Sequence, residues 1–366
     1  MGGYVPFSRI TAVLFRMILK VWAYSGLVLI VCFLLYYMYG GIFAVLLLFF
    51  AVTGKLCCYM MTQTLYKMSF LGILYQVQDS LLFNPELPSH SRVYVPIPST
   101  FNLPYESIVT KTADGIQINM YLILQQKDRQ HTAPTIVFFH GNAGNMGHRL
   151  QNCVGLYHNL QCNILLVEYR GYGLSEGSPS EEGLYTDARA AIDYLYARSD
   201  INHSEVIVFG RSLGGAVAID LAIRPEYVGK VWCLIVENTF TSIPDMAKVL
   251  LGWRILQYFP LFFYKNKFLS YQKVKQLRIP TLFISGLADI LVPPRMMLEL
   301  YNRCGSIRKQ ILHIPAGTHN ETWQIQGYYH SIAVFLQNCR LKSFAESDKR
   351  CESDTLKSMW TNVQDV

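Results

Sequence analysis

The glycine-flanked serine of Gly-Arg-Ser-Leu-Gly is the residue of this sequence best placed to act as a nucleophile. Ser212 follows the β-branched and aromatic run 206–209 and precedes an alanine-rich segment. Gly-x-Ser-x-Gly between a strand and a helix places the serine on a sharp, strained turn, where its hydroxyl points out of the backbone toward a base. Gly210 and Gly214 let the helix pack close to the strand, because a β-carbon at either position would clash.

Two further residues supply the acid and the base that such a serine needs. Asp289 lies just beyond a predicted strand and ahead of a proline-started helix, where its carboxylate can accept the N–H of a histidine; a purely helix-capping role is the alternative. His319 lies in the loop after the last predicted strand, from which it can reach the serine. The order Ser212, Asp289, His319 is that of serine hydrolases built on an α/β sheet. We therefore expect a nucleophile, an acid and a base in these roles.

The same chemistry requires N–H groups that stabilise a developing oxyanion. The motif His-Gly-Asn-Ala-Gly at 140–144 directly follows a predicted strand, and such a glycine-rich turn leaves backbone N–H groups unpaired. We expect the N–H groups of Asn142, next to Gly141, and of Leu213, at a helix N-terminus, to be the donors. A plain glycine turn is the alternative. His140 is expected to brace this loop by a hydrogen bond rather than to titrate.

Other polar residues are weaker candidates for the reaction. His313 lies within a predicted strand, Asp220 on a predicted helix and Asp245 in the region above the sheet. Arg170, in a glycine-rich loop, is expected to pair with a carboxylate.

The elements that must position these residues alternate between strands and helices from residue 135 onward. Strands are predicted over 135–139, 164–169, 206–209, 231–236, 281–285 and 310–314. Helices are predicted near 145–160, 181–199, 213–224, 294–303 and 322–338. This alternation predicts a mostly parallel sheet whose functional groups gather beyond the carboxyl ends of the strands. Short strands at 92–97, 107–112 and 116–124 are expected to form an antiparallel meander before it.

An insertion between two of these strands, at about 240–280, is expected to act as a cap over the strand ends. Its run 250–264 is strongly aromatic, and as a cap it would wall an apolar pocket suited to an acyl chain. A pair of helices packed on the core is the alternative.

Composition excludes several other classes of protein. With 51% hydrophobic and 16% charged residues, the 366-residue chain is too apolar for an ordinary soluble enzyme. Its net charge of +7 is not gathered into a basic block, so a nucleic-acid partner is not expected. The nine cysteines show no metal-ligand spacing, and neither a metal nor a cofactor is expected.

The excess of apolar residues lies near the N-terminus. Residues 21–54 carry no charge and as a helix would extend about 51 Å, more than the roughly 30 Å of a bilayer core. We expect an uncleaved transmembrane anchor there after an N-terminal tail at 1–20; a two-pass hairpin divided at Gly40-Gly41 is the alternative. After the anchor we expect a connector at 55–91 that contains an amphipathic helix at 65–83 near the membrane surface. A hydrolase domain is expected at 92–340, followed by a polar, disordered tail at 341–366.

Charge next to the anchor predicts its orientation. Basic residues precede it without acidic ones, so the positive-inside rule places the N-terminus in the cytoplasm and the domain on the lumenal or extracellular side. The sequons at Asn202 and Asn320 permit that placement and are candidate glycosylation sites. The hairpin alternative would put the domain in the cytosol.

These stretches together resemble the α/β-hydrolase superfamily and, more closely, a membrane-anchored subfamily of it. The resemblance is carried by Phe-Phe-His-Gly-Asn-Ala-Gly-Asn, Tyr-Arg-Gly-Tyr-Gly, Gly-Arg-Ser-Leu-Gly-Gly, Val-Glu-Asn-Thr-Phe and Gly-Thr-His-Asn, between about residues 75 and 340. It implies a mostly parallel sheet with helices on both faces and a small cap. It also implies a type II single-pass anchor, the triad Ser212, Asp289 and His319, and hydrolysis of esters or thioesters. The expected substrates are acyl lipids or S-acylated proteins. Between 54 and 70 this chain is longer than the family pattern.

Overall fold

The computed structural model describes residues 7–39, 41–252 and 260–341. Contacts divide the chain into two units, Met1–Val77 and Gln78–Val366. The predicted polar tail lies, apart from residue 341, outside the described residues.

The first unit consists of helix α1 (Phe7–Tyr39) and most of helix α2 (Gly41–Leu82). The stretch 21–54, expected to hold the anchor, includes the end of α1 and the beginning of α2, and residue 40 between them lies outside the described residues. No helix of the described residues is both long enough and apolar enough to cross a bilayer, so the expected transmembrane helix is not found. Large apolar side chains on α1 and α2 are nevertheless exposed, among them Phe15, Trp22 and Phe50. The helix expected over 65–83 is the last part of α2.

The described part of the second unit contains one eight-stranded sheet. Strands β1 to β8 are Tyr105–Lys111, Gln117–Ile123, Thr135–Phe139, Asn163–Val167, Val206–Arg211, Cys233–Glu237, Thr281–Gly286 and Lys309–Ile314. Their order in the sheet is β1-β2-β4-β3-β5-β6-β7-β8. Strands β1 and β2 form an antiparallel hairpin, β2 pairs antiparallel with β4, and all later pairs are parallel. The predicted mostly parallel sheet is thus confirmed, because each parallel return uses a crossover segment.

Helices cover both faces of this sheet. Helices α3 to α9 occupy Leu150–Leu160, Glu181–Tyr196, Leu213–Ile223, Ile243–Leu251, Ser270–Lys273, Pro294–Arg303 and residues 328–341. Because side chains alternate along a strand, Phe139 packs with residues of α4, α5 and α8, whereas Phe138 packs with residues of α3 and α9. The predicted strand over 92–97 is wrong: the segment forms turns and leads into a 3₁₀ turn at Pro98–Phe101. Pro96 within it has no N–H to donate to a sheet.

Arg170 pairs with two carboxylates, as expected from the sequence, and these pairs connect the β1–β2 hairpin to helix α4. Its Nε lies 2.9 Å from Asp187 Oδ1 on α4, and its Nη1 lies 2.6 Å from Asp114 Oδ2 at the turn between β1 and β2. Burial raises the pKa of Asp187 to about 6 in spite of the guanidinium. The hydrogen bond from Arg170 holds the pKa of Asp114 well below its usual range.

Replacing Arg170 by methionine should lower the free energy of unfolding by about 3 kcal/mol at pH 8, since Asp187 loses its buried partner. The loss should be smaller at pH 5. Below about pH 6 Asp187 is protonated in the folded state of both proteins, so the cation matters less. Above that pH the wild-type carboxyl ionises beside Arg170, whereas the variant, in which the folded-state pKa of Asp187 is higher still, loses stability relative to the wild type. Urea unfolding at both pH values measures this. Arg129→Met removes an exposed pairing with Asp128 and should change little; an equal loss in both variants would contradict the assignment.

Candidate active site

Ser212 occupies the turn between β5 and α5 in a strained backbone conformation. Its φ is 53° and its ψ is −118°, a combination that non-glycine residues rarely adopt. A β-carbon on Gly210 would lie 2.2 Å from the carbonyl oxygen of Gly214, and one on Gly214 would lie 2.0 Å from that of Phe139. The two glycines therefore permit the close approach of helix and strand that forces the serine outward.

The structure brings the three residues with predicted catalytic roles into one hydrogen-bonded chain. His319 Nε2 lies 3.1 Å from Ser212 Oγ, and His319 Nδ1 lies 2.7 Å from Asp289 Oδ2. The other carboxylate oxygen of Asp289 accepts the backbone N–H groups of Leu291 and Val292, each at 2.9 Å. Asp289 thus caps the turn before α8 and binds the histidine, so the two roles considered from the sequence are compatible.

The predicted oxyanion donors face this chain. Leu213 is the first residue of α5, and neither its N–H nor that of Asn142 donates to another described residue. The Asn142 side chain is held on both sides. Its Nδ2 donates to Leu82 O at 2.6 Å, and its Oδ1 accepts from Tyr172 Oη at 2.8 Å. These contacts fix the loop in which the amide of Asn142 lies.

His140 is fully buried and braces the same loop. Its Nδ1 lies 2.7 Å from the carbonyl oxygen of Gly141, and its Nε2 lies 3.0 Å from Glu168 Oε1. Glu168 also accepts the N–H of Met146, which holds the next turn of the chain. The histidine is therefore a structural part of the loop, as its position in the sequence suggested.

Two residues that the sequence did not single out hold the histidine loop. Arg211 Nη2 donates to His319 O at 2.7 Å and to Asn320 Oδ1 at 2.6 Å, while its Nε lies 3.4 Å from Glu237 Oε1. Asn238, in a left-handed conformation with φ 45°, donates to Thr318 O at 3.1 Å and accepts the N–H of Gly286 at 2.8 Å. The sequence signal for both residues lies in the motifs Gly-Arg-Ser-Leu-Gly-Gly and Val-Glu-Asn-Thr-Phe, which contain them.

The ion pair between Arg211 and Glu237, next to the histidine loop, is buried. Glu237 is fully buried, and burial raises the pKa of its carboxyl although Arg211 opposes this. Tyr328 donates its hydroxyl to Glu237 Oε2, and burial raises the pKa of that phenol well above its usual value, so it remains a donor. The buried carboxylate is thus partnered on both sides.

A cavity of about 390 Å³ opens above Ser212. Apolar side chains form much of its lining, which also includes Ser212, His319 and the predicted oxyanion residues Asn142 and Leu213. The lining comprises Leu81, Leu82, Asn84, Leu87, Gly141, Asn142, Ala143, Arg149, Arg211, Ser212, Leu213, Phe240, Ile243, Met246, Leu250, Leu291, Val292, His319 and Asn320. Four of these belong to the expected cap region, whereas its segment 253–259 lies outside the described residues.

The weaker candidates do not join this site. Asp220 pairs with Arg224 and Lys273, and Asp245 accepts hydrogen bonds from Thr241 and Ser242. His313 lies on β8. Within the described ranges no group of three or more histidine, cysteine or acidic side chains could hold a metal ion.

Replacing Asn238 by alanine should release the histidine loop. The variant loses hydrogen bonds to Thr318 O, to Thr322 Oγ1 and from Gly286 N, which together contribute about 2–3 kcal/mol. Hydrogen exchange followed by mass spectrometry should show faster exchange in residues 317–322. Asn159→Ala, which removes one bond within α3, is the matched control; unchanged exchange in the Asn238 variant would refute the role.

Comparison with known proteins agrees with this fold. The α/β hydrolase fold model matches residues 134–254. The chain is 41% identical to protein bem46 of Schizosaccharomyces pombe over 268 residues, 73% of this chain and 88% of that protein. It is 33% identical to an uncharacterized membrane protein of Saccharomyces cerevisiae over 269 residues, 73% of this chain and 91% of that protein. A Pyrococcus furiosus esterase structure superposes with a TM-score of 0.56 at 16% identity, covering 68% of this chain and 95% of the esterase. The chain therefore belongs to the α/β-hydrolase superfamily and is of the bem46 type.

Proposed function

We propose that this protein is a serine hydrolase that cleaves carboxylic esters or thioesters of acyl chains through an acyl-enzyme intermediate. The observation that carries the proposal is the chain from Ser212 Oγ to His319 Nε2 at 3.1 Å and from His319 Nδ1 to Asp289 Oδ2 at 2.7 Å. This chain lies at a cavity with room for a substrate.

Each residue of the site has a defined role in the proposed reaction. His319 Nε2 takes the Ser212 proton as Oγ attacks the carbonyl carbon, and Asp289 accepts the Nδ1–H that sets the required tautomer. The N–H groups of Asn142 and Leu213 stabilise the oxyanion of the tetrahedral intermediate. His319 then protonates the leaving alcohol or thiol, and water, activated by the same histidine, hydrolyses the acyl-enzyme.

The cavity supports an acyl chain as part of the substrate. Phe240, Ile243, Met246 and Leu250 line it from the cap region, and Leu291 and Val292 line it from the loop after β7. Apolar walls around a few placed polar groups are typical of sites that bind hydrophobic ligands. We therefore propose acyl lipids or S-acylated proteins as the substrate classes.

A catalytically silent hydrolase fold that serves as a membrane-tethered binding module is the second candidate. It would be favoured by a serine beyond hydrogen-bonding reach of the histidine or by a filled pocket. The short Ser212–His319 distance and the open cavity support the enzyme instead.

Ser212→Ala should abolish covalent labelling by a fluorophosphonate probe and hydrolysis of p-nitrophenyl esters. Asp289→Asn should lower kcat by about 10⁴-fold, because the histidine loses its tautomer-setting acceptor. Ser99→Ala, at an exposed position, should leave both readouts unchanged. Labelling of the Ser212→Ala protein at the wild-type level would overturn the assignment of the nucleophile.

We also propose that the chain is attached to a membrane through its apolar N-terminal stretch, with the hydrolase unit on the lumenal or extracellular side. The uncharged run 21–54 and the exposed apolar side chains of α1 and α2 support attachment, and so does the similarity to the Saccharomyces cerevisiae membrane protein. The basic residues before the run support the orientation, and the two-pass alternative would reverse it.

Glycosidase treatment of the protein from cells tests this orientation. In a lumenal domain we expect a glycan on Asn202, which lies on a partly exposed turn, and none on Asn320, whose Oδ1 accepts from Arg211 and which borders the cavity. The mobility shift should therefore disappear in Asn202→Gln and persist in Asn320→Gln. The opposite result would be a protein that shows no mobility shift and whose domain is digested by protease added to intact microsomes but protected in inverted ones. That result would place the domain in the cytosol.

A further inference from the structure

Arg149 is a cation at the cavity that has no ionic partner in the part of the chain that the structure describes. It ends the 3₁₀ turn Met146–Arg149 directly before α3, and it borders the cavity with Arg211 and Ser212. Its Nη2 donates to the carbonyl oxygen of Ala143 at 2.5 Å. Its Nε is buried without a hydrogen-bond partner, and no carboxylate of the described residues lies within 4.0 Å of its guanidinium.

The electrostatic surroundings of Arg149 are unfavourable for a cation without a ligand. Burial lowers the pKa of its guanidinium to about 10, and the nearby charge of Arg211 adds to this effect, whereas the more distant carboxylate of Glu168 opposes it. Arg211 itself is compensated by Glu237. No aspartate or glutamate occurs among the described residues that line the cavity. Arg149 is only partly exposed and its Nε is buried. A largely desolvated cation without an ionic partner among the described residues is costly, so the site is complementary to an anion.

The remaining donors of Arg149 suit a particular kind of anion. A guanidinium presents a planar set of N–H groups that matches phosphate or carboxylate oxygens in paired hydrogen bonds. Arg149 also holds Ala143, next to the proposed oxyanion donor Asn142, so a bound anion would lie close to the reacting ester. The cavity of about 390 Å³ is near the lower end of the range for ligand pockets, which favours one acyl chain over two.

We propose that Arg149 binds an anionic headgroup close to the scissile ester, so that the preferred substrates are single-chain anionic acyl lipids. The proposal rests on the proposed hydrolase function. The competing explanation is that Arg149 merely braces the loop at Ala143, in which case its loss would affect charged and neutral substrates alike.

Substrate selectivity of the full-length, detergent-solubilised protein tests this. The substrates are 1-acyl lysophosphatidate and the monoacylglycerol with the same acyl chain, which differ only in the phosphate. Loss of charge-assisted hydrogen bonds worth about 1.5–3 kcal/mol corresponds to roughly 10- to 150-fold. In Arg149→Gln the ratio of kcat/KM for lysophosphatidate to that for monoacylglycerol should therefore fall at least about 10-fold.

Two further variants complete this comparison. Arg149→Lys keeps the positive charge but lacks the planar set of N–H donors, so its ratio of kcat/KM values should be intermediate. Arg129→Gln, at an exposed position, should leave the ratio unchanged. An equal fall with both substrates, or an unaltered ratio in Arg149→Gln, would overturn the proposal.

Binding measured without turnover separates this proposal from the catalytic one. Calorimetry compares the binding of hexyl phosphate to two proteins, Ser212→Ala and Ser212→Ala/Arg149→Gln. The Ser212→Ala protein should bind it at least about 10-fold more tightly, because only that protein keeps the charge-assisted hydrogen bonds of Arg149. Hexanol should show no such difference. Inorganic phosphate that binds as tightly as hexyl phosphate would reassign the site to a free anion and overturn the lipid class. If the Ser212→Ala protein still hydrolysed esters while hexyl phosphate binding depended on Arg149, only the catalytic proposal would fail.

Discussion

The close approach of helix α5 to strands β3 and β5 is the constraint on which the site depends. Because Gly210 and Gly214 bring backbone atoms within distances that no β-carbon allows, the chain between strand and helix has no room for an ordinary turn. Ser212 accommodates the bend with a positive φ. The strain is sustained by the fully buried strands around it, since a packed interior resists local relaxation.

A buried polar network extends that constraint to the histidine loop. Arg211 is the last residue of β5, directly before Ser212, and it donates to the backbone carbonyl of His319. Glu237 pairs with Arg211 and in turn accepts the hydroxyl of Tyr328. Asn238 joins the same loop to the end of β7, beyond which Asp289 lies. The positions of serine, aspartate and histidine are therefore coupled through neighbouring strand ends. Each buried polar group in this network depends on the others for its partners, which favours one geometry.

The prediction from sequence was most successful where a short pattern constrains the chain locally. The strand before Ser212, the helix after it and the loop at 140–144 were predicted close to their observed bounds, because β-branched runs, alanine-rich segments and glycines have strong local preferences. It failed at 92–97, where Pro96 interrupts an apparently alternating segment. The transmembrane helix expected within 21–54 is not found among the described residues.

From the sequence alone one can determine the order of strands and helices, the superfamily resemblance, and the candidate residues Ser212, Asp289 and His319. These are properties of local composition and of motifs at strand ends. Only the tertiary structure decided that Arg211 and Asn238 hold the histidine loop and that Arg149 borders the cavity with no ionic partner among the described residues. Such relations join residues up to 109 positions apart, and they depend on strand register and helix packing, which no short sequence window contains.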